Sequence, residues 1–190
     1  MTASIETERL ILRQWKPSDY KPFARMNADP EATEFDPVVF TEPESNRTAD
    51  SVAAMIDQRG WGFWALEEKT SGQFAGLTGL FEPTPDLPFA PCVGVGWRLA
   101  RPFWGKGYAT EAARASVQYG FEKLALDFIV AFTMETNERS RSVMERIGMR
   151  DAQQNFLFPG QPADSPYSRY VLYRITHADW MHQHDSARHE

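Results

Sequence analysis

Two closely spaced glycines stand where a strand-like stretch of the chain gives way to a helical one. The segment reads Trp104-Gly-Lys-Gly-Tyr-Ala109. Glycine leaves backbone N–H groups unobstructed, and the first turn of a helix adds unpaired N–H groups and the positive end of the helix dipole. The segment therefore predicts a binding site for a phosphate or pyrophosphate, although the same glycines are also compatible with a plain tight connection.

The charge around this loop favours an anionic ligand. The chain has 26 acidic and 20 basic residues and a formal net charge of −6. Residues 87–110 nevertheless contain no Asp or Glu, while Arg98, Arg101 and Lys106 give this stretch a local positive charge. Because the rest of the surface is acidic and no basic run is present, we expect no nucleic-acid partner.

The two common nucleotide-binding motifs do not fit the loop. A Walker loop needs a glycine where Ala100 stands and Ser or Thr where Gly107 stands. A dinucleotide fingerprint that starts at Gly105 needs Gly or Ala at its last position, where Thr110 stands.

The rarest side chains exclude several other chemistries. Cys92 is the single cysteine, so an intramolecular disulfide and a multi-cysteine zinc site are excluded. The four histidines, His177, His182, His184 and His189, all lie near the C-terminus. A histidine triad or metal site would require that stretch to fold back over the body, so we expect a C-terminal tail and no metal.

Hydrophobic periodicity predicts the elements that must position the loop. Thr41 and Glu44 have the spacing of a capping box at a helix start, and Asn137 is the expected N-cap of a later helix. The predicted strands cover residues 5–15, 62–67, 74–80, 92–99, 127–133, 155–158 and 169–175; the predicted helices cover 17–27, a stretch from 41, 110–124 and 138–147. We expect one domain over residues 1–176 and a tail over 177–190.

The N-terminus and the apolar runs indicate where the protein works. Charged residues interrupt any N-terminal apolar stretch, and no run approaches the roughly 20 apolar residues of a membrane helix. We therefore expect a cytoplasmic protein without a membrane partner.

Several motifs, taken in order, resemble one enzyme family. They are Thr7-Glu-Arg-Leu-Ile-Leu-Arg13, Val93-Gly-Val-Gly-Trp-Arg-Leu99, Trp104-Gly-Lys-Gly-Tyr-Ala-Thr-Glu-Ala112, Asn137-Glu-Arg-Ser140, Met144-Glu-Arg-Ile-Gly-Met149 and Val171-Leu-Tyr-Arg174. Over residues 5–175 the chain resembles the GNAT superfamily of N-acetyltransferases, and within it the branch that acetylates the N-termini of ribosomal proteins.

The resemblance implies a fold and an activity. The fold is a single α/β GNAT-like domain with a mixed, mostly antiparallel seven-stranded sheet, about four flanking helices and a splay between the fourth and fifth strands. The activity is acetyl-CoA-dependent transfer of an acetyl group to a primary amine, on a protein or peptide N-terminus or a small molecule, directly within a ternary complex. Many relatives are dimers, which makes a homodimer a further expectation.

The resemblance also implies the site residues. Backbone N–H groups of the glycine loop would hold the pyrophosphate, a strand would pair with the pantetheine arm, and the Asn137 segment would reach the arm from the other side. The implied cofactor-binding residues are Trp97, Arg98, Leu99, Trp104, Gly105, Lys106, Gly107, Tyr108, Ala109, Thr110, Asn137 and Ser140.

The proton-transfer groups are less clearly implied. Many relatives carry a tyrosine acid where this chain has Met144, so Ser140 or a water is the expected acid. Glu135 and Glu82, each at a strand end, are the candidate bases, although a carboxylate at a strand end is more often simply solvated. The missing tyrosine also suggests an alternative function, a non-catalytic acyl-CoA sensor or partner-docking module.

Overall fold

The computed structural model describes residues 4–187, with side chains through residue 184. The strands are β1 (Ile5–Glu6), β2 (Leu10–Arg13), β3 (Phe63–Glu68), β4 (Phe74–Phe81), β5 (Gly94–Leu99), β6 (Phe128–Met134), β7 (Arg150–Asp151), β8 (Phe156–Leu157) and β9 (Arg169–Thr176). The helices are α1 (Tyr20–Asn27), α2 (Glu42–Arg59), α3 (Tyr108–Glu122), α4 (Glu138–Arg146) and α5 (His177–Ala187).

These residues form two compact units. The first contains residues 4–81 and 96–116, and the second contains residues 82–95 and 117–187. The chain passes from one unit to the other within β5 and within α3, so each of these elements belongs partly to both.

The first unit is an antiparallel sheet covered by two helices. Strands β1 to β4 pair in chain order, and the later part of β5 lies beside β4, where Ala100 N donates to Ala75 O at 2.9 Å. Helices α1 and α2 pack on each other and on this sheet. Burial of Leu12, Trp64 and Ile56, all fully inaccessible, supplies the apolar area that holds the unit together.

Local sequence patterns determine the ends of α2. Thr41 N donates to the Glu44 carboxylate at 2.8 Å, and Glu44 N donates to Thr41 Oγ1 at 3.4 Å. This reciprocal pair satisfies two amides that the helix itself cannot pair. Gly60, in the left-handed conformation, ends the helix. The predicted capping box is confirmed.

The second unit is built around the antiparallel pair β6 and β9, with β7 and β8 also pairing to β9. The start of β5 runs parallel to β6, and its paired position is Gly94 opposite Val130. Ile129 and Ile175 are fully buried in this unit.

The last helix differs from the sequence expectation. The segment expected as a tail forms α5 from residue 177 to 187, and Trp180 is buried with its ring 5.4 Å from that of Phe121. An aromatic residue three positions into the segment supplies the apolar contact that orders it. His189 lies outside the described residues.

The mixed, mostly antiparallel α/β architecture is confirmed. Within residues 4–187 the structure has nine strands and five helices, against seven and about four expected, because the first predicted strand is divided at a turn and β7 and α5 were not foreseen. The splay of the sheet and the single domain stay predictions. None of the helices in this range is long and apolar enough to cross a membrane.

Candidate functional site

The glycine loop begins α3 through a backbone conformation that ordinary residues avoid. Gly105 has a φ of 73° and Gly107 a φ of 79°, which would cost an L-residue roughly 1–2 kcal/mol each. Gly107 O accepts the first helical hydrogen bond, from Glu111 N at 3.0 Å. Gly107 is therefore the N-cap of α3, and it has no side chain with which to cover the first amides.

The amides of this loop are available to a ligand. Within the described part of the chain, no acceptor is hydrogen bonded to the N–H groups of Gly105, Lys106 or Gly107. The first-turn amides of α3 have no intrahelical partner either. A run of unpaired N–H groups at a helix N-terminus is the arrangement that binds phosphate and pyrophosphate groups.

The basic side chains near the loop carry less free charge than the sequence suggested. Arg98 contacts Asp36 at 2.5 Å and Asn27 Oδ1 at 3.0 Å. Arg101 is paired with two carboxylates of the segment between α1 and α2, those of Asp29 and Glu31. The local positive stretch is thus largely compensated by acidic residues distant in sequence, and the backbone amides become the main attraction for an anion.

The third basic residue, Lys106, lies beside a buried carboxylate. Its Nζ is 3.5 Å from Glu68 Oε1, which also accepts a hydrogen bond from the Tyr108 hydroxyl at 2.6 Å. Ser71 Oγ donates to the other oxygen of Glu68 at 2.6 Å. The hydrogen bonds from Ser71 and then Tyr108 lower the pKa of Glu68 to about 2. Glu68 is therefore an anion held under the loop.

Trp104 braces the loop internally. Its indole N–H donates to Leu99 O at 2.7 Å and so links the end of β5 to the loop. The resemblance placed Trp104 among the cofactor-binding residues. In this structure the indole N–H, the only polar group of its side chain, is hydrogen bonded within the protein.

The predicted residues of the second unit gather at the start of α4. Asn137 Oδ1 accepts Ser140 N at 3.1 Å, and Asn137 Nδ2 donates to Thr133 Oγ1 at 3.0 Å. Asn137 is the N-cap, as predicted. Both of its polar atoms are used within the protein, whereas the Ser140 hydroxyl takes no part in the cap.

The two candidate bases are placed differently. Glu135 follows β6 and lines a cavity of about 290 Å³ together with Thr136, Asp164 and Arg169. Glu82 follows β4 and is exposed. Glu135 therefore lies at a cavity, two residues before Asn137 in the chain, whereas Glu82 lies at the exposed end of β4.

Two residues near the loop were missed by the sequence analysis. They are Arg9, whose Nη1 donates to Lys106 O at 2.8 Å, and Glu111, whose Oε2 accepts a hydrogen bond from Arg9 Nε at 2.7 Å. Burial raises the pKa of Glu111, but hydrogen bonds from Thr7 and Arg9 outweigh it and leave that pKa below its usual range. Thr7 and Arg9 lie in a motif quoted for the family resemblance, but nothing local in the sequence links them to the loop.

Comparison with known families identifies the chain. Residues 9–150 match the Acetyltransferase (GNAT) domain family. The chain therefore belongs to the GNAT acetyltransferase family, as its motifs predicted.

Individual relatives agree with this assignment. The chain is 37% identical over 86 residues to FsC-acetyl coenzyme A-N(2)-transacetylase of Aspergillus fumigatus, a stretch that covers 45% of this chain and 37% of that protein. It is 35% identical over 95 residues to the uncharacterized protein YkkB of Bacillus subtilis, covering 49% of this chain and 54% of YkkB. The chain thus spans about half or less of the length of these curated relatives.

Solved structures share the fold over nearly the whole chain. A GNAT-family acetyltransferase from Bacillus anthracis superposes with a TM-score of 0.77 at 23% identity, covering 92% of this chain and 98% of that one. RimL, a ribosomal L7/L12 alpha-N-protein acetyltransferase in complex with coenzyme A, superposes with a TM-score of 0.71 at 15% identity, covering 92% and 98%.

Proposed function

We propose that the protein is an acetyl-CoA-dependent N-acetyltransferase that moves an acetyl group to a primary amine by direct transfer within a ternary complex. The acceptor is a protein or peptide N-terminus or a small amine. Family membership and the open amides at the start of α3 support this proposal. The proposed reaction uses acetyl-CoA as co-substrate and includes no metal.

The observation that carries the proposal is the Gly107 N-cap. Because this position has no side chain, the amides from Gly105 to Thr110 would hold the pyrophosphate of the cofactor. The residues present fit that group, since unpaired N–H groups are what phosphate oxygens require. Trp97, Arg98 and Leu99 of β5 are the proposed partners of the pantetheine arm, and acetyl-CoA supplies the activated thioester when it is bound.

Proton transfer is assigned to residues of the second unit. The acceptor amine must lose a proton and the departing thiolate must gain one. Glu135 and Glu82 are the proposed bases, and Ser140 is the proposed acid. Asn137 is a further proposed contact of the pantetheine arm. A backbone N–H near Leu99 is the proposed donor to the oxyanion.

An amine panel tests the proposal directly. Purified protein is incubated with acetyl-CoA and peptides with different N-terminal residues, amino acids or polyamines, and free CoA is measured with a thiol reagent. We expect release that depends on one class of amine and acetylated product by mass spectrometry. Calorimetry that detects no acetyl-CoA binding would contradict the proposal.

A second candidate function is a sensor or docking module that binds acyl-CoA without turnover. Met144 favours the sensor or docking module, because it stands where many relatives carry a tyrosine that acts as the general acid. The Met144 thioether is buried and cannot donate a proton. Tight acetyl-CoA binding together with no CoA release for any amine would support this candidate over the enzyme.

A further inference from the structure

Arg9 contacts the glycine loop from the turn between β1 and β2, although it precedes Lys106 by 97 residues. Its Nη1 donates to Lys106 O at 2.8 Å, while Nη2 lies 2.6 Å from Glu111 Oε2. The guanidinium thus joins the loop to the first turns of α3.

The bond to Lys106 O determines which way the neighbouring amide points. The peptide between Lys106 and Gly107 is planar, with its C=O and N–H directed to opposite sides. Holding the carbonyl on Arg9 therefore aims the Gly107 N–H away from Arg9. Glycines on both sides of Lys106 give these peptides unusual freedom to rotate, so an external anchor is what keeps the amide in one orientation.

Arg9 is itself fixed. Glu111 accepts the Arg9 backbone N–H at 2.8 Å and the Thr7 hydroxyl at 2.6 Å, in addition to the guanidinium. Thr7 Oγ1 also accepts Leu10 N at 3.1 Å and so closes the turn that carries Arg9. A planar guanidinium with five donors can bond a carboxylate and a carbonyl together, and an ammonium on a flexible stem holds that geometry less well.

We propose that Arg9 is a positioning residue for cofactor binding, which acts by holding the Lys106 carbonyl so that the Gly107 amide faces the pyrophosphate. This inference rests on the proposed function. It differs from a role as a simple cation, which the 42% exposure of the Arg9 side chain would also allow. The two roles can be distinguished by substitution, because lysine can replace arginine as a simple cation but not as a planar group that bonds a carboxylate and a carbonyl together.

The test compares two substitutions at Arg9 with a neighbouring control. Arg9→Lys keeps the charge, and Arg9→Gln removes it. Lys69→Gln is the control, because Lys69 Nζ also donates to a backbone carbonyl, that of Thr7 at 2.7 Å, but does not touch the loop. Circular dichroism and thermal melts establish that each variant is folded, and calorimetry measures acetyl-CoA binding at several salt concentrations.

We expect the Kd for acetyl-CoA to rise about tenfold in Arg9→Lys and in Arg9→Gln alike, the size of one charge-assisted hydrogen bond. The salt dependence of Kd should match that of the unmodified protein, and Lys69→Gln should bind normally. With an active amine in hand, KM for acetyl-CoA should rise while kcat at saturation is retained.

Four results would overturn the inference. Normal binding by Arg9→Lys would assign Arg9 a purely electrostatic role, and so would a shallower salt dependence in Arg9→Gln. Equal weakening by Lys69→Gln would indicate general loosening of the N-terminal segment. If the unmodified protein binds no acetyl-CoA, the proposed function fails and this inference fails with it, whereas the other results leave the proposed function standing.

Discussion

The glycine loop of the first unit and the start of α4 in the second unit both begin a helix, but they use its first amides in opposite ways. At α4, Asn137 Oδ1 accepts Ser140 N, so the chain caps its own helix. At α3 the N-cap is Gly107, which offers the amides no side chain. A capped helix start is satisfied without a ligand, and an open one gains from an anion. The residue at the N-cap therefore decides whether the first amides of a helix are occupied by the chain itself or left open to a ligand.

The largest expected effect is a loss of turnover on substitution of Ser140. This substitution tests whether the start of α4 has a catalytic role besides its structural one. Ser140→Ala leaves the cap intact, because the cap uses the Ser140 backbone N–H. If the hydroxyl is the proton donor, turnover should fall about 100-fold while acetyl-CoA affinity is retained. The measurements are kcat with a responsive amine and Kd by calorimetry, with Ser142→Ala on the same helix as the control. Equal losses of turnover and affinity would make Ser140 a cofactor contact instead.

A second prediction concerns the open helix start. Gly107→Ala introduces a Cβ at a φ of 79°, which costs roughly 1–2 kcal/mol if the loop keeps its shape. Acetyl-CoA binding should weaken about tenfold, because the loop relaxes away from the binding conformation. Gly72→Ala is a matched control, since Gly72 has a φ of 65° in the β3–β4 turn. It should lose stability and bind normally; weaker binding in both variants would contradict a specific role for the loop.

A third prediction concerns the closed helix start. Asn137→Ala should lower the free energy of unfolding by about 1 kcal/mol, the usual value of an N-cap. Urea denaturation measures this, and Thr41→Ala at the α2 cap should have a similar effect. Asn137→Ser keeps a capping oxygen and should keep most of the stability. If Asn137→Ser keeps its stability but binds acetyl-CoA much more weakly, Asn137 contacts the cofactor arm, as proposed, in addition to capping α4; unchanged binding would contradict that contact.

The smallest expected effect is a pH dependence of the protein's stability that comes from Glu68, the carboxylate bonded to Tyr108 and Lys106. Glu68 has its pKa lowered from 4.5 to about 2 in the folded protein by Ser71 and Tyr108. Its stabilising contribution is therefore complete above pH 4.5 and is lost as the pH falls toward 2. Thermal melts of the unmodified protein and Glu68→Gln should differ at pH 7 and converge between pH 4.5 and 2. A difference that stays constant over this range would show that the charge of Glu68 does not matter.

Local patterns in the sequence predicted most elements of both units. The Thr41 capping box, the Asn137 cap and the alternation that predicted β3 and β4 each depend on residues within a few positions of one another, so they can be recognised in the sequence. The predicted start of α3, Thr110, is two residues late, because the prediction relied on a helical repeat of apolar residues that begins only at Ala112.

The features that could not be predicted depend on contacts between distant residues. The sequence gives no sign that Glu68 lies under Lys106, or that Asp36 neutralises Arg98. The apparent positive charge of the loop segment was therefore overestimated. Helix α5 was not predicted for the same reason, because Trp180 packs against the ring of Phe121, a residue far away in the sequence.

The hydrogen bond between Arg9 N and Glu111 affects how the protein folds during synthesis. These residues are 102 positions apart, so forming their contact costs more loop-closure entropy than forming a contact between near neighbours in the sequence. During synthesis the N-terminal turn leaves the ribosome long before α3 exists. If Arg9 orients the loop as proposed, the Gly107 amide takes its binding orientation only after Arg9 has met Lys106 and Glu111.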